Sequence, residues 1–334
     1  MPTLAAAILA AGKSTRMKSK TVKVLHPLGG VPLIRYVLAN VAAVQAQRVV
    51  LVIGHGGQQV RDVLGADYLY VEQGEQLGTG HALLQARPLL DGQCDTVLCL
   101  YGDMPLVRAD TLRRLIATHH EAGAVMTLLT VTGDDSMGFG RIVRNSAGDV
   151  QAIVEEKVAT PEILAIKEYN AGLYCFDSAW LWPRLAALPV SPIGEYYLTD
   201  MLGVAVREGQ TVRAVACSDV SEVLGINNRA QLAQAEALVR AAVNRTHMLN
   251  GVTLIDPAAT YIDAGVTIGR DTVIFPNTIL QGQTAIGEDC TIGPNSQIVS
   301  STIGSGCRVW ASVIESSIIA DGVSIGPFSH LRAG

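Results

Sequence analysis

Residues 262–298 read IDAGVTIGRDTVIFPNTILQGQTAIGEDCTIGPNSQI, with an aliphatic residue at every sixth position: Ile262, Ile268, Ile274, Leu280, Ile286, Ile292 and Ile298. Seven in register without a miss is a poor match to chance. A six-residue period marks a parallel β-helix, in which each short side of a coil turns one aliphatic into a continuous core. The phase then slips by five to Ile303, with Val309 next, and by four to Val313, followed by Ile319, Ile325 and Leu331. Small residues such as Gly269, Gly287, Gly293, Gly304 and Gly326 follow the aliphatic positions. The array runs to Gly334 without the atypical capping unit that normally ends a solenoid. This predicts that the chain stops inside a longer β-helix, with an engineered truncation as the favoured reading.

Upstream the pattern changes twice. Across 229–250, Leu232, Ala235, Leu238, Val239, Ala242 and Leu249 keep a helical spacing, and Gly251 sits just beyond. One linking helix is expected there. Residues 1–228 alternate strand-like apolar runs (4–9, 48–53, 96–101, 125–131) with helical stretches (31–44, 80–90, 110–121). That alternation predicts an α/β domain with a mostly parallel sheet, and near-continuous apolar strands fit burial on both faces. The expected organisation is therefore 1–228, 229–250 and 251–334.

Composition narrows the function classes. At 334 residues and 49% hydrophobic, the chain is long and apolar enough for sizeable cores. The apolar run Leu4 to Ala11 is too short to span a bilayer and lacks a basic lead. Neither a membrane span nor a signal peptide is expected. Six cysteines without a CxxC pair predict reduced, mostly buried thiols in a cytoplasmic protein. The net charge is -5, yet residues 1–61 contain eight cations and no acid. A basic segment on an acidic chain points to a small polyanionic ligand. Nucleic acid is disfavoured, since no extended basic stripe or aromatic ladder accompanies it.

The first strand runs into Leu9-Ala10-Ala11-Gly12-Lys13-Ser14-Thr15-Arg16-Met17. Small residues there let backbone N–H groups approach phosphate oxygens, although the loop is neither a GxGxxG nor a GxxxxGK[ST] fingerprint. A buried strand delivers Tyr101-Gly102-Asp103 at its carboxyl end, where open α/β sheets bind ligands. A carboxylate beside phosphates suits magnesium. Amides and backbone in 73–81 offer contacts for a nucleobase edge. His26, His55 and His81 show no metal or triad arrangement and read as structural.

Taken in order, the loop, Lys23-Val24-Leu25, Gln73 with Gln76-Leu77-Gly78-Thr79-Gly80-His81, Tyr101-Gly102-Asp103, Gly138-Phe139-Gly140-Arg141, Gly194-Glu195-Tyr196-Tyr197 and Asn227-Asn228 resemble one family. It is the bacterial bifunctional N-acetylglucosamine-1-phosphate uridyltransferase/glucosamine-1-phosphate acetyltransferase family, and the hexapeptide tail matches it too. The resemblance implies a Rossmann-like nucleotide-diphospho-sugar transferase domain, a linker helix and a left-handed β-helix. It implies UTP and N-acetylglucosamine 1-phosphate as substrates, and UDP-N-acetylglucosamine and pyrophosphate as products. It further implies a magnesium cofactor and a homotrimer.

Residue by residue, the resemblance places Leu9, Ala10, Ala11, Gly12, Tyr101 and Gly102 at the nucleotide and Gln73, Gln76, Gly78 and Thr79 around uracil. Arg16 and Lys23 face the phosphates, and Asp103 and Asn227 bind magnesium. Gly140, Glu155, Asn170, Tyr197, Thr199 and Asn227 hold the sugar phosphate. Of the acetyltransferase site only Arg332 matches, so no acetyl transfer is expected. Two positions depart from the family: Ser14 stands where glycine is usual, and Val22 where proline precedes Lys23. Ser14 is expected to alter the loop's approach to phosphate, and Val22 to loosen Lys23. The rival readings are a sister sugar-1-phosphate nucleotidyltransferase, a binding-only module and acyl transfer at the β-helix.

Overall fold

The computed structural model describes residues 2–191 and 194–333. They fall into two compact units: 2–26 with 33–228, and 27–32 with 229–333. Gly334, the expected end of the repeat array, lies outside the described residues.

In the first unit the principal strands are β1 (Leu4–Ala10), β2 (Arg48–Ile53), β3 (Leu69–Glu72), β4 (Thr96–Tyr101), β5 (Met126–Thr132), β6 (Arg141–Arg144), β7 (Val150–Val154), β8 (Glu168–Asp177) and β9 (Val212–Cys217). They form one nine-stranded sheet whose main path is β9-β5-β8-β4-β1-β2-β3, with β6 and β7 attached through β8. All pairs on the path are parallel except the two made by β8. All seven residues of β1 are buried. Ala6, Ile8 and Ala10 join one core, and Ala5, Ala7 and Leu9 the other. Helices cover both faces, which is why the strand carries no polar alternation. Helix α1 (Leu33–Ala43) packs Ile34, Val37, Leu38 and Val41 on the first face. Helices α2 (Gly57–Leu64) and α3 (Thr79–Gln85) follow β2 and β3.

Two expected helices shift. The stretch 31–44 begins at Leu33, because Val31–Pro32 pairs with Pro27–Leu28 in a hairpin around Gly29 and Gly30. That hairpin belongs to the second unit, so 1–228 is not one continuous body. The stretch 80–90 breaks after Gln85 and resumes at Arg87–Leu90. Pro88 lacks the N–H that a continuous helix needs.

The second unit opens with helix Arg229–Leu249, of which only Ala235, Val239 and Asn244 are buried. The expected stripe is narrower than its spacing implies: Leu238, Ala242 and Leu249 are exposed. A polar residue takes their place, since the Asn244 amide donates to the carbonyls of Pro257 (2.8 Å) and Thr260 (3.0 Å). Beyond it, three parallel sheets of short strands make the faces of the β-helix. On one face Ile262, Leu280, Ile298, Ile314 and Leu331 are stacked in register.

Val313 is not the inward residue; Ile314 is fully buried and Val313 half-buried. The phase therefore slips by five twice, to Ile314 and to Ile319, because strand alternation sends Val313 and Glu315 outward together. Coils close tightly at the glycines: a Cβ on Gly287 would lie 2.7 Å from the Ser305 nitrogen. Among the described residues all six cysteines are free thiols and five are buried. No described helix is long and apolar enough to cross a membrane.

Candidate active site

The sheet order sets the site. Strands β1 and β4 are neighbours, with Leu9 opposite Tyr101, so the loops after Ala10 and Tyr101 leave from one edge. The Gln73 N–H donates to Ile53 O at 2.8 Å, bringing the end of β3 to the same edge. This is the carboxyl end of parallel strands, where the direction of chain crossover reverses on either side of β1.

A cavity of about 310 Å³ opens there, lined by Leu9, Ala10, Ala11, Gly12, Lys23, Gln73, Gln76, Gly78, Thr79, Tyr101, Asp103, Glu195 and Tyr197, among others. Its polar side chains include the Gln73 and Gln76 amides together with Lys23, Thr79, Asp103 and Glu195. The Gln76 amide donates to Ala11 O at 3.1 Å, tying two rims together. The Gln73 amide donates to Gly78 O at 3.1 Å and lies 3.0 Å from His81 Nδ1, so His81 serves as a brace. Gly78 has φ +100°, and a Cβ there would sit 2.6 Å from Tyr196 O. No other residue fits that approach. The Tyr101 hydroxyl is hydrogen-bonded to Thr79, and burial pushes its phenol well above the ordinary value.

A second cavity, about 230 Å³, is lined by Gly138, Phe139, Gly140, Glu155, Asn170, Gly172, Thr199 and Asn227 with Tyr101 and Asp103. Tyr101 and Asp103 thus border both cavities. Burial raises the Glu155 pKa above the ordinary glutamate value, against a hydrogen bond donated by Thr199 Oγ1 at 3.2 Å. Asn170 is buried, donating to the Tyr174 hydroxyl at 2.7 Å and accepting from Gly172 N–H at 3.2 Å.

Cationic and oxygen groups meet where the cavities join. The Lys23 ammonium pairs with Asp103 Oδ2 and donates to Asn227 Oδ1 at 2.9 Å. Arg16 donates to the same Asn227 oxygen at 2.9 Å. A carboxylate and an amide oxygen already converge on one positive charge, which is a donor set suited to a hard divalent cation. Among the described residues no group of three or more His, Cys, Asp or Glu side chains converges on such a site. Any ion would need further oxygens from its ligand or water.

Some expected placements change. Tyr197, grouped with the sugar phosphate, lines the larger cavity instead. Gly102 lines neither cavity; it is buried and donates to Leu9 O at 3.0 Å, fixing the turn beneath the site. Of the eight early cations, Arg35, Arg48 and Arg61 bind Val63 O, Gln93 and Glu72, away from the loop. Arg332 is exposed on the strand His330–Arg332.

Sequence reasoning missed Glu222, a buried carboxylate that accepts from Arg108 N–H at 3.0 Å. With Ile226 N–H on Asp103 O at 2.9 Å, it ties the loop carrying Asp103 to the loop carrying Asn227. It sits in a polar run, Ser218-Asp219-Val220-Ser221-Glu222, that reads as surface. The pairing partner 114 residues away leaves no local signal.

Residues 6–191 match the family model of the MobA-like NTP transferase domain, and 265–300 match bacterial transferase hexapeptide repeats. The chain is 46% identical over 330 residues to the bifunctional protein GlmU of Shouchella clausii, covering 98% of this chain and 73% of that one. It is 47% identical over 328 residues to GlmU of Latilactobacillus sakei, covering 98% and 71%. The chain belongs to the GlmU family. The GlmU of Caldanaerobacter subterraneus, 47% identical over 333 residues, covers 99% of this chain and 72% of its own length. The NTP-transferase match spans β1 through β8 and so contains most of the residues around both cavities, and the domain is a nucleotidyltransferase.

Proposed function

We propose that the first unit transfers UMP from UTP to N-acetylglucosamine 1-phosphate, giving UDP-N-acetylglucosamine and pyrophosphate for peptidoglycan and lipopolysaccharide precursors. One observation carries the reading: two cavities, one presenting the Gln73 and Gln76 amides and the other the Glu155 carboxyl, share Tyr101 and Asp103 at a cationic junction. The larger takes the nucleotide and the smaller the sugar phosphate.

The attacking group is a phosphate oxygen, ionised at neutral pH, so no general base is required. It bonds to the α-phosphorus as the bond to the pyrophosphate oxygen breaks, and the pyrophosphate leaves with that electron pair. The difficulty is bringing anions together. Arg16 and Lys23 supply positive charge at the junction, and the small residues 9–12 let backbone approach the phosphates. Gln73 and Gln76 border the base, while Glu155, Thr199 and Asn170 border the sugar. Asp103 and Asn227 would hold magnesium, whose charge offsets that of the triphosphate. Positioning and charge stabilisation then carry the catalysis.

Pyrophosphate release from UTP, N-acetylglucosamine 1-phosphate and magnesium tests this. Faster turnover with glucose 1-phosphate or with another nucleotide would favour a sister nucleotidyltransferase. No release with any pair would leave a binding module. The proposal is confined to the first unit. For the β-helix we infer a homotrimer, supported by the hexapeptide match and by Ile318 and Phe328, which stand 85% and 90% exposed. Light scattering that returned one species near 35 kDa would refute it.

A further inference from the structure

Lys23 reaches the junction from a segment whose residues 18–21 are all exposed. Buried Met17 and Val22 flank that segment, but the four residues between them bury no side chain that would fix their backbone. Two side chains from outside it do so by hydrogen bonding. The Ser14 hydroxyl donates to Gly12 O at 3.2 Å and accepts from the Lys23 N–H at 3.1 Å. The Gln59 side chain, on α2, accepts from the Val22 N–H at 3.2 Å and donates to Lys20 O at 3.2 Å. Consecutive N–H groups at 22 and 23 are thus each held by a different element.

Ser14 makes this contact from a left-handed backbone, φ 57° and ψ 21°. A residue with a Cβ is disfavoured there, and such outliers concentrate where the surrounding structure uses them. The hydroxyl gives the position its use. It ties the loop after β1 to the turn that carries the ammonium. A valine at 22 has the N–H that Gln59 binds, which a proline lacks.

We infer that Ser14 and Gln59 are positioning residues for Lys23: they clamp the backbone at residues 20–23 and so determine where the ammonium is delivered. The inference rests on the reading of Lys23 as a group facing the UTP phosphates. A misplacement of an ångström at a reacting centre costs up to about a hundredfold in rate, so a partial loosening is expected to cost about tenfold.

Ser14→Gly is the informative variant, since glycine accepts φ 57° without strain while removing the hydroxyl. Its melting temperature is expected to hold or rise, while UTP affinity and kcat each fall about tenfold; Ser14→Ala loses rate similarly. Gln59→Ala, on an exposed helix face, is expected to lose about threefold. Equilibrium binding of UTP then closes a cycle with Lys23→Met, which works even where that variant turns over too slowly to assay. In the Lys23→Met background, Ser14→Gly and Gln59→Ala should change UTP affinity less than twofold.

Wild-type kinetics in Ser14→Gly and Gln59→Ala, or losses that persist undiminished in the Lys23→Met background, overturn the inference and leave the functional reading standing. A Lys23→Met protein with wild-type UTP affinity and rate overturns the functional reading, and the inference with it.

Discussion

The cavity lined by Leu9, Ala10, Ala11, Gly12, Gln73, Gln76, Gly78 and Thr79 sets main-chain groups, two amides and apolar walls beside the charged side chains of Lys23 and Glu195, whereas the one lined by Gly140, Glu155, Asn170 and Thr199 holds a desolvated carboxyl. The first is fixed by geometry: Gly78 pressed against Tyr196, Gln76 strapped to Ala11, Gln73 braced by His81. The second depends on a group whose charge changes with acidity. Backbone and amide groups read shape and hydrogen-bond pattern without titrating themselves, while a buried carboxylate binds hydroxyls strongly only when ionised. Asp103 and Tyr101 belong to both, so damage there cannot be confined to one cavity.

That contrast can be broken most severely at the shared wall. Asp103→Asn should lower kcat by a hundredfold to a thousandfold with the fold intact; a variant within fivefold of wild type at saturating magnesium and both substrates would remove Asp103 from the junction. Next comes Gly78→Ala, where the added Cβ meets Tyr196 O at 2.6 Å. We expect about a hundredfold loss in kcat/KM for UTP, with the sugar-phosphate KM moving far less. An equal loss for both substrates would show that the cavities are not separable.

Glu155→Gln is expected to raise the sugar-phosphate KM about tenfold and leave UTP unaffected. Because burial raises the Glu155 pKa, the carboxylate is lost as pH falls through a value above the ordinary glutamate range. Sugar-phosphate KM in the wild type should therefore climb on acidification, earlier than for an exposed glutamate, and that limb should vanish in Glu155→Gln. A flat profile in both proteins would contradict it. The mildest effect belongs to Gln76→Ala, which removes one neutral hydrogen bond. About a fivefold rise in UTP KM is expected, measured at a pH where Glu155 is fully ionised.

The same contrast separates what could be read from the sequence from what could not. The fold was legible because its patterns are local and periodic: buried runs end at Ala10 and Tyr101, and aliphatics recur every six residues. Within the repeat the reading misplaced Val313, where two aliphatics stand side by side and the stacking of Ile314 on Ile298 decides which faces inward. Residues at strand ends were legible as a set, since sheet order brings Leu9 and Tyr101 together. What stayed hidden were pairings across the chain. Glu222 finds Arg108, Tyr197 lines the cavity of Gln73 and Gln76, and Ser14 meets the backbone of Lys23; no composition or spacing encodes those meetings.

The in-register stack Ile262, Leu280, Ile298, Ile314 and Leu331 makes the second unit behave as a one-dimensional lattice. Each coil touches only the coils before and after it, so its stability is a sum of nearest-neighbour terms. A vacancy at Ile298 would weaken two interfaces at once and divide the array into shorter pieces that melt more independently. The effect of a substitution there depends less on which residue is lost than on its distance along the axis from the nearest end.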